Sequence, residues 1–205
     1  GTYPAAELGA SNYVIETSEF VNLVCSGAVG SCIFQPTGAN VSGIRLNSPP
    51  TGTMVITGIK IDGSTATPLD QCFYYSDGAA AYSVTSTDNA CTEANIYGHR
   101  IVANEMTLTS LRDTLTASTA VEPRSFVFTA GTWAEGGVSV DAANVTIDKY
   151  TTHGGSVTPI MNILAADAGE TGSVTNSTFN ITNDPAALTG YIDVIRFIAV
   201  PNAAA

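Results

Sequence analysis

Short apolar runs recur along the chain, alternating or compact, and separated by turn residues, with Gly, Pro, Asn and Asp as punctuation. A period of two puts alternate side chains on one face of a strand, so the runs read as half-buried β-strands. Strands are expected at Tyr13–Thr17, Phe20–Val24, Cys32–Gln35, Val41–Leu46, Thr53–Ile61, Gln71–Tyr75, Tyr82–Val84 and Ile96–Ala103. The second half adds Ser125–Thr129, Val138–Val140, Val145–Thr151, Ser156–Ile163, Ser173–Thr182 and Gly190–Val200.

Many short strands with this punctuation predict an all-β fold, an antiparallel β-sandwich of jelly-roll type. The sandwich domain is expected over residues 21–200. Residues 1–20 form an N-terminal segment holding an edge or donated strand, and residues 201–205 a C-terminal tail. The alternative fold is a short parallel β-helix, since Ser173–Thr182 resembles one rung of such a stack. Stacked rungs should repeat with a regular period, and the chain shows none.

Two segments carry most of the pattern. Thr53–Ile61, read as one strand, puts Val55, Ile59 and Ile61 on one face and Met54, Ile56 and Lys60 on the other. Tyr191–Val200 is apolar on both faces, which predicts a central strand in which Ile195 and Phe197 are core residues. Helix is scarce: Leu108, Leu111 and Leu115 allow one short helix within Asn104–Leu115, and Ile163–Asp167 a single turn.

Composition places the fold in an environment. Only 12% of the 205 residues are charged, and polarity comes instead from Thr, Ser, Asn and Gly. Net charge is −11, and a surface that acidic repels phosphates, which argues against nucleic-acid partners and anionic membranes. No apolar stretch approaches the ~20 residues that insert as a helix. The chain begins at Gly1 rather than Met, which reads as a cleaved leader on an exported, extracellular or cell-surface protein.

Four cysteines fit that compartment. They allow three pairings, and the sequence does not choose among them. Nearest neighbours, Cys25 with Cys32 and Cys72 with Cys91, are expected because each bond would close a local loop. The spacing lacks the paired units that zinc favours.

Signals for catalysis are weak, and no catalytic residue is assigned. The two histidines, His99 and His153, read as loop or strand-edge residues, with no hydrolase or metalloprotease motif around them. No cofactor is expected. Calcium is the one ion the acidic turns could hold, at Asp62–Ser64, Thr87–Asn89, Asp167–Glu170 and Asn183–Asp184, yet none matches a calcium loop. Sugar binding would need flat exposed aromatics, for which Tyr74, Tyr75, Tyr82 and Trp133 are the candidates. Sequons stand at Asn40, Asn144, Asn176 and Asn180.

The expected function is therefore non-enzymatic: an extracellular structural subunit that assembles with copies of itself by β-strand addition. Tyr13, Val14 and Ile15 would enter a neighbour's sheet. The alternatives are a secreted carbohydrate-binding or adhesion module, with or without calcium, and thirdly a secreted glycoside-hydrolase-like enzyme.

Overall fold

The computed structural model describes residues 2–4, 13–19, 21–36, 42–47, 51–63, 69–76, 82–103, 106–118, 120–121, 126–129, 137–151, 160–165, 171–183 and 194–199. Among them every strand pair is parallel, and the chain visits three sheets in turn. Each circuit is one rung of a β-solenoid.

The first rung contains β1 (Thr2–Pro4), β2 (Tyr13–Thr17) and β3 (Leu23–Val24). Above it lie β4 (Cys32–Gln35), β5 (Ser42–Asn47) and β6 (Gly52–Thr57). The third holds β7 (Ile59–Asp62), β8 (Leu69–Ser76) and β9 (Tyr82–Thr87); the fourth, β10 (Ala90–Thr92), β11 (Ala94–Val102) and β12 (Met106–Leu111). In the fifth are β13 (Thr114–Ala117), β14 (Ala120–Val121), β15 (Val127–Thr129) and β16 (Gly137–Asp141). β17 (Asn144–Thr151), β18 (Met161–Ala165) and β19 (Thr171–Thr175) make the sixth, and β20 (Thr178–Asn183) and β21 (Ile195–Ala199) close the described stack.

The antiparallel sandwich is thus overturned, and the parallel β-helix alternative fits. Alternation reports that a strand has one buried face; it is silent on which strand lies beside it. The missing period has a cause as well. On the third sheet, successive rungs are offset by 33, 30, 24, 30 and 34 residues, because the connections between sheets differ in length.

The corner from the third sheet to the first stays tight throughout. Gly58, Asp88, Arg112, Ala142 and Asn176 stack there, all with positive φ between 50° and 70°. Each of Gly58, Asp88, Arg112 and Ala142 donates its N–H to the carbonyl just before the corner of the next rung, at 2.9–3.0 Å, so the ladder continues around the bend. This corner also corrects the reading of Thr53–Ile61. A left-handed residue at Gly58 resets the alternation, so Met54 and Ile56 are buried before it and Ile59 and Ile61 after it.

Two further expectations fail. Leu108, Leu111 and Leu115 belong to strands β12 and β13, because Arg112–Asp113 turns the corner between them; Ile163–Ala165 is also strand. The described part of Tyr191–Val200 holds the end strand β21, where Ile195 is 38% and Phe197 53% exposed. An inward face has no partner layer at the end of a stack.

The disulfides are the nearest-neighbour pairs. Cys25–Cys32 ties the end of the first rung to the start of the second, with Cα atoms 5.7 Å apart. Cys72–Cys91 crosses the buried interior from β8 to β10, with Cα atoms 5.9 Å apart. Loops of these lengths remove about 2–3 kcal/mol of unfolded-state entropy each.

Inside, side chains stack in register. Ile61, Cys91, Leu115 and Val145 form one inward column, and Met54, Val84, Leu108 and Val138 another. The outer face of the third sheet is hydroxyl-rich instead: Val55, Thr85, Thr109, Ser139 and Ser173 share a column, with Thr53–Ser83 (2.9 Å) and Ser173–Ser139 (3.2 Å) bonded across rungs. Such ladders wet the surface without charge, which accounts for the sparse Lys and Glu.

Candidate functional site

One group of polar side chains lies in the apolar interior. His99 occupies the inward column Ile15–Ile44–Phe73–His99–Val127–Met161–Ile195, where every other member is apolar. Its ring stacks on Phe73 at 4.8 Å and meets Phe126 edge-on at 5.4 Å. Nε2 lies 3.3 Å from Asp113 Oδ2, and Nδ1 lies 3.2 Å from the Tyr75 hydroxyl.

Asp113 and Asn89 come from tight corners. Asp113 accepts from the Ser110 hydroxyl at 2.7 Å and from the Asn89 N–H at 2.9 Å. The Asn89 amide donates to Ser86 Oγ and the Ile56 carbonyl, both at 2.8 Å, and accepts from the Ile59 N–H at 2.8 Å. That last bond repairs a length mismatch. The corner at Gly58 is one residue short, and later strands start by donating to a corner carbonyl instead, as Thr114 does to Asn89 at 2.8 Å.

A neutral His99 protonated at Nε2 satisfies the set: it donates to Asp113 and accepts from Tyr75. Burial, with the Asp113 charge as the second cause, holds the Tyr75 hydroxyl well above its ordinary pKa, so it stays a donor. The order differs from a nucleophilic triad. Ser110 bonds the carboxylate rather than the imidazole, and both imidazole nitrogens are engaged. The His99 and Asp113 side chains are each 2% exposed. The histidine expected at a loop or strand edge is thus an interior residue. Asn89, Ser110 and Asp113 were missed because an Asn or Asp between apolar runs reads as an ordinary turn residue.

Outside, the second sheet carries a ladder of cations and rings. The Arg45 guanidinium lies 5.0 Å from the Tyr13 ring and 5.2 Å from Tyr74, and Arg100 lies 5.0 Å from the other side of Tyr74. Arg45 also pairs with Glu16 at 3.1 Å. Burial raises the Tyr13 pKa, with Arg45 opposing.

The candidate sugar-binding aromatics are not gathered. Tyr74 is stacked between arginines, Tyr75 and Tyr82 are buried at 0% and 4% exposure, and Trp133 lies outside the described residues. Of the acidic turns, Asp62 is held by Lys60, Thr92 and Gln35, and Asp88 by Arg112. Asp167–Glu170 and Asp184 lie outside the described residues, as do His153 and Asn40. Among the described residues, no group of three or more His, Cys, Asp or Glu is placed to hold a metal. Asn144 and Asn180 are exposed on the first sheet, while the Asn176 amide donates to Asp141 at 2.8 Å.

The two ends of the stack are the remaining feature. β2, with Tyr13, Val14 and Ile15, pairs in parallel with β5 of its own chain, and among the described residues its other edge is open. Val21, Val24 and Val29 are 46%, 58% and 68% exposed around that end. At the opposite end Val194, Ile195 and Phe197 are 38–53% exposed on and beside β21, whose outer edge is likewise open among the described residues. Comparison with protein families, with curated proteins and with solved structures finds no match.

Proposed function

We propose that this chain is a non-enzymatic structural subunit of the cell exterior that associates with copies of itself through the strand edges at the ends of its solenoid. The observation that carries this reading is that, among the described residues, both ends of the second sheet combine an open strand edge with exposed apolar side chains nearby. Unpaired N–H and C=O groups on an edge template another strand, and the valines and Phe197 would lose water on contact. The two disulfides are compatible with an oxidising, extracellular location. Among the described residues the Tyr75–His99–Asp113 constellation is buried, and the His99 and Asp113 side chains are each 2% exposed.

Sedimentation velocity and negative-stain microscopy of the full chain test the proposal. Size should grow with protein concentration, and with moderate salt as it screens the net charge of −11. A protein that stays monomeric at millimolar concentration across that salt range overturns it.

A further inference from the structure

The register of the second sheet says how two copies would meet. One column of paired positions runs 16, 45, 74, 100, 128, 162, 196, beginning at Glu16 and ending at Arg196. An acid therefore stands on one open edge and a base on the other. On one side the inward column runs from Ile15 to Ile195; on the other, Thr17 and Phe197 stand one position beyond Glu16 and Arg196 in the same register.

Resting on the self-association reading, we propose that copies stack head to tail, β21 of one against β2 of the next, with Arg196 beside the next copy's Glu16. Three arguments support this polarity. All strand pairs among the described residues are parallel, so translation along the axis extends each sheet in the same sense, whereas head-to-head contact inverts it. Charge agrees, because head-to-head docking joins two edges that both carry Glu16 and tail-to-tail docking two that both carry Arg196, whereas head-to-tail docking joins an acid to a base. The contact is also already present within the chain, since Glu16 meets Arg45 of the adjacent rung at 3.1 Å. In the same register Ile195 would cover Ile15 and Phe197 would cover Thr17, removing the exposed apolar surface of β21 from water. A head-to-tail contact of this kind does not close on itself, so it generates an open filament.

The test uses charge reversal in the full chain. Glu16→Arg and Arg196→Glu should each raise the concentration at half assembly by about tenfold or more, because each sets like charges together. An equimolar mixture of the two variants should assemble like wild type, since every junction then joins opposite charges. Circular dichroism of each variant confirms folding, and Glu16→Arg also meets repulsion at Arg45 of its own chain. Separately, Ile15→Cys with Ile195→Cys should yield a ladder of intermolecular disulfides on oxidation. Neighbouring strands lie about 4.8 Å apart, and a disulfide spans Cα separations of about 4.4–6.8 Å. An assembling wild type indifferent to both reversals, or one whose cysteine variant gives no ladder, overturns the polarity while leaving self-association standing. A monomeric wild type overturns both.

Discussion

Asp113 Oδ2 approaches His99 Nε2 to 3.3 Å across the solenoid interior, joining the corner after the third sheet to the centre of the second. The carboxylate collects three donors there, from Asn89, Ser110 and His99. A buried charge is tolerated only when satisfied in this way.

Removing the acceptor should therefore be severe. Asp113→Ala strands all three donors and is expected to cost about 3–5 kcal/mol. Tyr75→Phe takes the donor from His99 Nδ1 and should cost about 1–3 kcal/mol. Urea melts of both variants measure this; losses below about 0.5 kcal/mol in each would show that the network is not holding the rungs together.

Corner residues allow a change in the opposite direction. Ala142 sits at φ 53°, where an L side chain is strained, so Ala142→Gly should stabilise by up to about 1 kcal/mol. Gly43→Ala should destabilise by about 1–3 kcal/mol, because its Cβ would collide with the Cys72 carbonyl oxygen and lie 2.8 Å from Ile61. Thermal melts in opposite directions are the expected outcome.

The acid limb of stability follows from three aspartates. Hydrogen bonds from Arg112 lower the Asp88 pKa, and bonds from Thr175 and Asn176 lower that of Asp141. At Asp62 burial pulls upward, but bonds from Lys60, Thr92 and Gln35 outweigh it and the pKa is lowered. A depressed folded-state pKa contributes stability above the unfolded value of about 3.9, lost as pH falls through the folded value. Stability should thus decline below about pH 4. Asp70, raised by burial, acts with the opposite sign and softens the decline. Asp88→Asn should flatten this limb in a pH series of denaturant melts, and an unchanged limb would count against the assignment.

Core and end strand should separate clearly. Phe73, 1% exposed, should cost about 3–5 kcal/mol on truncation to Ala. Ile195→Ala on the exposed end strand should cost less than about 1.5 kcal/mol. Equal losses would mean that β21 is covered in solution, and their dependence on protein concentration would identify a second copy as the cover.

Much of the local structure was legible in the residues. Tyr13–Thr17 and Cys32–Gln35 coincide with β2 and β4, because alternation and turn residues act within a few positions. The sequence left three cysteine pairings open; the nearest-neighbour expectation, at separations of 7 and 19 residues, matches the observed bonds because short loops cost least to close. Leu108, Leu111 and Leu115 misled because two residues of corner between strands mimic helical spacing.

Local chemistry by itself determined that this protein is all β and where many of its strands lie, and it made the nearest-neighbour cysteine pairs the expected ones. Only the tertiary structure decided that the strands are parallel, that His99 reaches Asp113, and that Ile195 lies at an end rather than a centre. The reason is that a strand's own side chains encode which face avoids water. Its neighbour is selected by stacking across 24–34 residues of chain, through connections whose unequal lengths erase the repeat from the sequence.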